Sequence, residues 1–229
     1  MHFQHSPGIW ADYPELTAAA LFAEGLTTSL SVDSQVARYN AIAKSRLETD
    51  TEASFPEIQA WRRAFSRMGL KPTQYRCASE SLLRRFRKDD ALPRMHPLID
   101  LCNAMSRASA TPVAVFDVSR VTDSLEVRHA SGNEFYESFS GEIEYPDAHE
   151  VIFADSTRRA HARRWTNRQS GYSAVRDTTK DVLIVIEAMH VAAIDVQELA
   201  AALAHDLNVA WSITPKTAIL SQSSPRFEF

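Results

Sequence analysis

The chain has 229 residues, 45% of them apolar and 24% charged, with a formal net charge of −4. That is enough apolar material for one sizeable core, and the scarcity of glycine and of low-complexity stretches speaks against a disordered protein. No stretch approaches the ~18 uncharged apolar residues of a membrane-spanning helix, and the opening MHFQHSPGIWADYPEL has no basic region followed by an apolar run, so a cytoplasmic protein without membrane contact is expected.

Cys77 and Cys102, the two cysteines, fall in helical patterns and read as buried thiols of a reducing compartment. There is no CxxC or HExxH motif, and the histidines are scattered rather than set at ligand spacing. No metal and no cofactor is therefore expected.

Along the chain, residues 13–26 (YPELTAAALFAEGL) fit either an alanine-rich helix or a buried strand. Residues 33–47 read as a helix capped by Asp33, with Val36, Tyr39, Ile42 and Ala43 on one face. Residues 55–68 give another, with Pro56 near its start, a stripe of Ile58, Trp61 and Phe65, and Gly69 as its stop. Segments 79–88 and 97–108 continue the helical series. The pattern changes at Pro112. Segments 113–118, 125–129, 135–139, 150–153 and 181–187 read as strands punctuated by Gly132, Gly141 and Pro146. The last of these, DVLIVIE, is apolar on both parities and suggests a central strand covered on both faces. Residues 195–207 form a closing helix with Asp195 as cap. Helices, then strands, then a helix predict an α+β fold. Residues 1–12 read as a lead-in, 13–213 as one domain, and 214–229 as a loosely attached tail.

Charge is sorted along this slightly acidic chain. Between residues 61 and 94, Arg62, Arg63, Arg67, Lys71, Arg76, Arg84, Arg85, Arg87, Lys88 and Arg94 face only Glu80, Asp89 and Asp90. Between residues 158 and 176 there are six arginines and no acid. Such islands repel themselves, and a polyanion is the usual compensating partner.

Four motifs in order, WRRAFSRMGLKPTQYRCASESLLRR, LPRMHPLIDLCNAMS, RRWTNRQS with Thr178 and Thr179 after it, and DVLIVIE, resemble the B3/B4 domain family. This is the domain of the β subunit of bacterial phenylalanyl-tRNA synthetase, which also occurs as a free-standing protein. The resemblance covers about residues 13–211. It implies a mixed β-sheet packed against helices with a pocket between them. It also implies a tRNA partner rather than DNA, and an editing activity that hydrolyses the ester of mischarged tRNA with water as nucleophile. The synthetase's pocket polar groups are not reproduced. Around His96 no Asn stands in the matching stretch, Ala114 occupies the place of a His, and RRWTNRQS carries no acid where the synthetase has a Glu after a Gly-Gly turn. A module that binds tRNA or an amino acid without hydrolysis is the alternative, and a monomer is the default.

Within that frame, Asn167, Gln169 and Ser170 would hold the water or the ester carbonyl, and His96 would serve as base near neutrality. Arg164 and Arg168 would clamp terminal phosphates, and Trp165 would stack on the terminal adenine. Thr178 and Thr179 complete the family pattern. Lys71, Arg76, Arg84, Arg85 and Arg94 would contact RNA. Each residue also has a plain structural reading: Trp165 as a core aromatic, Arg164, Arg168 and Gln169 satisfying buried carbonyls or carboxylates such as Glu187, His96 as a helix cap, and the arginines as a solvated face.

Overall fold

The computed structural model describes residues 1–90, 92–189 and 196–229. The chain runs β1 (His2–His5), α1 (Pro7–Asp12), β2 (Thr17–Ala23), α2 (Asp33–Thr49), α3 (Pro56–Arg67), α4 (Ala78–Asp89), α5 (Pro97–Ser109), β3 (Val113–Asp117), β4 (Ser124–His129), β5 (Phe135–Glu137), β6 (Ile143–Glu144), β7 (Val151–Asp155), β8 (Arg159–Arg163), β9 (Arg168–Gln169), β10 (Val182–Ala188), α6 (Val196–Trp211), β11 (Lys216–Leu220) and β12 (Arg226–Glu228). The fold is α+β, as expected. One sheet is mixed, in the order β12-β1-β4-β7-β8-β5-β6 with β9 on β8. Its β1–β4 and β5–β8 pairs are parallel. The second sheet, β11-β2-β10-β3, is antiparallel throughout.

Alternation along β10 explains the layering. Val182, Ile184 and Ile186 share a core with Leu101 and Met105 of α5, Val36 of α2 and Leu203 of α6. Leu183 and Val185 point the other way, into a core with Phe3, Val127 and Phe153 of the mixed sheet and Trp61 of α3. The antiparallel sheet is thus covered on both faces, which is why DVLIVIE is apolar on both parities. The ambiguous segment 13–26 resolves as β2. Ala18 and Ala20 turn toward the mixed sheet and Ala19 toward the helices; burial on both faces overrides the alanines' helix preference.

The helices start where the residues dictate. Pro56 opens α3 with its φ already fixed. His96 caps α5, its Nδ1 accepting the Leu98 N–H at 3.2 Å, with Pro97 at the first helical position. The expected Asp195 cap lies outside the described residues.

Both chain ends differ from expectation. Residues 1–12 form β1 and α1, and β1 lies inside the mixed sheet between β12 and β4, with Phe3 and His5 buried. Residues 214–229 are not a loose tail: β11 pairs with β2 and β12 with β1, burying Leu220 and Phe227. The prolines and serines around these short runs disguise them as coil, although Ser221 and Ser224 bridge each other at the turn between β11 and β12.

Candidate functional site

Glu187 has the same parity on β10 as Leu183 and Val185, so the strand carries a carboxylate into the apolar space between the sheets. It is 1% exposed. Two donors hold it there. The Trp165 indole N–H donates to Glu187 Oε1 at 2.8 Å, and His5 Nε2 lies 2.7 Å from the same oxygen. The far ring nitrogen of His5, Nδ1, is buried without a partner. With Oε1 engaged twice, Oε2 is the oxygen left to other chemistry.

Beside Glu187 is a cavity of ≈ 70 Å³. Its apolar wall is Pro112, Ala114, Phe116, Phe153 and Ala162, and its polar wall comes from the β8–β9 connection, with Trp165, Thr166 and Asn167, and from β9 itself, with Arg168 and Gln169. That connection is strained. Arg164 and Trp165 have φ of 47° and 57°, the left-handed region that a bulky side chain seldom adopts. The backbone is pinned by Trp165 N–H to Val151 O at 2.7 Å and by Asn167 N–H to Arg164 O at 3.1 Å. The twist drives the Trp165 ring inward and turns the next residues along the cavity. After β9, Gly171 lets the chain press against residues 138–139, since a Cβ there would meet Ser138 O at 2.7 Å.

The cavity brings together Trp165, Asn167, Arg168 and Gln169. Asn167 donates from Nδ2 to Arg76 O at 2.8 Å, and Gln169 from Nε2 to Val115 O at 2.5 Å. Arg168 grips Glu144 at 2.8 and 3.0 Å, and this partnership holds the Glu144 carboxyl below its usual range. Arg164 lies 4.8 Å over the Tyr75 ring.

Other expected residues lie elsewhere. Ser170 is buried, donating to Glu137 O at 2.7 Å and accepting from Tyr172 N–H. Thr179 donates to Asp117 at 2.6 Å, while Thr178 is exposed on the same loop. His96 does not line this cavity; its Nδ1 is spent on the helix cap, and burial pushes its pKa below 6.5. Two readings are corrected. Trp165 offers no free face to an adenine: it is fully buried, with Tyr13 and Trp61 edge-on at 4.9 and 5.3 Å. His96 is not the base beside this cavity, and although RRWTNRQS carries no acid, Glu187 brings one to the cavity from β10.

The first arginine island is largely neutralised, whereas in the second, among the described residues, only Arg159, Arg163 and Arg168 have carboxylate partners. Arg62 and Arg76 pair with Glu80, Arg84 and Arg87 with Glu52, Arg85 with Asp89, Arg67 with Glu15, and Arg94 with Asp33 and Asp100. Lys71 is exposed. Sequence reasoning missed His5, hidden in the apparent lead-in, and treated Glu187 only as a partner for arginines. The available signal was an acid interrupting one face of an otherwise apolar strand.

Among the described residues no cluster of His, Cys, Asp or Glu could hold a metal ion, and no helix is long and apolar enough to cross a membrane. A solved N-terminal fragment of the phenylalanyl-tRNA synthetase β-subunit from Pyrococcus horikoshii has a similar fold, with a TM-score of 0.50 at 11% identity over 94% of this chain and 49% of that one. The present chain thus spans about half the length of that fragment. No curated protein matches the sequence. The B3/4 domain model matches residues 60–209, a span from α3 to α6 that contains every residue lining the cavity, and the chain belongs to the B3/4 domain family.

Proposed function

We propose that this chain binds the aminoacylated 3′ end of tRNA and hydrolyses its ester, with water as nucleophile and Glu187 as general base. The observation that carries the reading is Glu187 itself: a carboxylate between two sheets, pinned by two donors on one oxygen, at the wall of a cavity otherwise apolar on that side. A buried carboxylate is costly unless paired and hydrogen-bonded, and even a well-made pair can often be replaced by hydrocarbon without loss, so a role in chemistry accounts for its presence better than stability does.

The ester is already activated, so positioning and oxyanion stabilisation suffice. Glu187 Oε2 takes a proton from water as the water oxygen bonds to the ester carbonyl carbon. The side-chain amides of Asn167 and Gln169 face the resulting oxyanion. The bond from that carbon to the ribose oxygen then breaks, and the proton passes from Glu187 to the leaving ribose hydroxyl. His5 and Trp165 are positioning residues that fix Oε1. Arg168 and Arg164 meet terminal phosphates, Arg168 by exchanging Glu144 for a phosphate oxygen. Ser170 and His96 take no part in these steps. With one water filling ~10–15 Å³ of such volume, the cavity suits a small amino-acid side chain better than an aromatic one.

The test is deacylation of a panel of correctly and incorrectly charged tRNAs. One ester class is expected to turn over, and Glu187→Gln should slow it by about 10²–10⁴, the usual worth of a general base. Arg168→Ala should weaken it more than Arg84→Ala with Arg85→Ala. Uniform inactivity with tRNA still bound would replace hydrolysis by a binding role. Equal losses from both arginine sets would reduce the arginines to bulk attraction.

A further inference from the structure

Two arginines among the described residues are nearly inaccessible, Arg163 at 4% and Arg107 at 3% exposure. They are treated differently. Arg163 is locked between Glu144 and Glu150, each at 2.7 Å. Arg107, in the last turn of α5, has no carboxylate within ion-pair distance among the described residues. Its Nη2 donates to the neutral Asn40 Oδ1 at 2.7 Å, its guanidinium carbon lies 5.2 Å over the Phe86 ring, and its Nε is buried with no acceptor. Asp100 acts on it through space, but Asp100 already accepts the Met95 N–H at 3.1 Å and stands 3.8 Å from Arg94. Burial pushes the Arg107 pKa down to about 10, so the group is still a cation at neutral pH.

An unpaired buried cation is costly unless something compensates it. Beside Arg107 is a cavity of ≈ 150 Å³ between α2, α5 and the connection leading into α5, whose polar lining is Asn40, Arg94, Asp100, Asn103 and Arg107. It is larger than the cavity at Glu187 and shares no residue with it. At ~10–15 Å³ for each water held, it has room for a phosphate or a short carboxylate.

We propose that this cavity is a binding site for a small oxyanion, a carboxylate or a phosphate, received by Arg107 with the Asn103 amide beside it and Arg94 at the rim. Arg107 supplies the charge and a fork of donors suited to a planar or tetrahedral oxyanion. Arg94 is shared by Asp33 and Asp100, and Asp100 also accepts the Met95 N–H, so the charge left to meet an oxyanion is that of Arg107. The proposal is independent of whether Glu187 hydrolyses an ester.

The test is calorimetric titration and thermal unfolding of the full chain with sodium phosphate and with sodium acetate, against sodium chloride at equal ionic strength. Saturable heat is expected from at least one oxyanion, with a melting temperature that climbs as the logarithm of its concentration; which one acts identifies the ligand's chemistry. Arg107→Met should weaken binding at least tenfold and, without anion, melt no lower than the parent, because it removes an uncompensated charge. Asn103→Leu, which fills the cavity and keeps Arg107, should also weaken binding, and it serves if Arg107→Met does not fold. Heat and melting indistinguishable from chloride would overturn the site, as would unchanged binding in Asn103→Leu. A loss of stability in Arg107→Met with no anion response would mean that Asn40 and Phe86 alone hold the arginine.

Discussion

Ending the chain after Thr214 should unfold it or come close. That cut removes β11 from the edge of the antiparallel sheet and β12 from the edge of the mixed sheet. It also removes the side chains of Leu220 and Phe227, which are 1% and 6% exposed. Burying a side chain of that kind stabilises by about 1.5–3 kcal/mol, so the two together supply about 3–6 kcal/mol, before the unpaired backbone of β1 and β2 is counted. A domain of this kind holds about 5–15 kcal/mol in all. The damage should also reach the site. β12 braces β1 through the pairs His2–Glu228, Phe3–Phe227 and Gln4–Arg226, the next residue of β1 is His5, and His5 holds Glu187. Urea unfolding followed by fluorescence suits the measurement, because Trp10, Trp61 and Trp165 are all buried. Phe227→Ala, which keeps the backbone, should cost about 3–5 kcal/mol. A truncated chain within about 1 kcal/mol of the full one, against that 3–6 kcal/mol, would show that the terminal strands are ornamental and that His5 is held by something else.

Gly171→Ala should destabilise despite an ordinary backbone conformation, because its Cβ would collide with the backbone at residues 138–139; the sign is read from the same urea midpoint. His96 titrates below 6.5 when folded, because it is buried. The unfolded chain therefore binds that proton first, and stability is full above pH 6.5 and declines below it; His96→Asn keeps a capping side chain and should flatten the decline in a pH series. Asp155 has the same sense in a more acid window. Burial opposes its charge, but His161, Thr157 and the Arg159 N–H hold its pKa below 3.8. Its contribution is present above that pH and is lost as pH falls further, so Asp155→Asn should blunt acid unfolding.

The interior of this fold was legible wherever burial wrote a period into the sequence. α3, α5 and β10 each show their apolar stripe or run, and each lies where the pattern puts it. β8 and β9 were not legible. RAHAR alternates arginine with alanine and histidine, and nothing in that run discloses that Arg163 is buried between two glutamates. The ends failed for a related reason. His2–His5 and Arg226–Glu228 are too short to show a period, and their partners are more than 120 residues or nearly the whole chain away. Charge misled most. The arginine islands are dense only in one dimension; folding brings Glu15, Glu52, Asp33 and Asp100 to them from other elements. A polyanion must therefore compete with carboxylates already in place, and the exposed Arg63, Lys71 and Lys88, which have no such partner among the described residues, are better placed to give a salt-dependent contact. Three released counterions would give a log–log salt slope of about −2 to −3.

The His5–Glu187 pair allows stability and function to be separated. A pair kept for stability should be hard to replace, whereas buried polar pairs can often be exchanged for apolar side chains of like size with little loss. Glu187→Met alone strands two buried donors, the Trp165 indole N–H and His5 Nε2, and should cost about 3–5 kcal/mol, as removal of one partner of a buried pair usually does. His5→Phe alone leaves Glu187 with one donor and should also destabilise. Together the two changes place a phenyl ring and a thioether in a core that already holds Phe3, Phe116 and Phe153, and only the indole N–H stays unpaired, at about 1–3 kcal/mol. The double variant should therefore be more stable than Glu187→Met, giving a non-zero coupling energy, as residues in contact do. Simple addition of the two losses would refute the pairing. Recovery of stability without recovery of ester hydrolysis would mean that the carboxylate is retained between the sheets for what it does to a substrate, since the fold would stand without it.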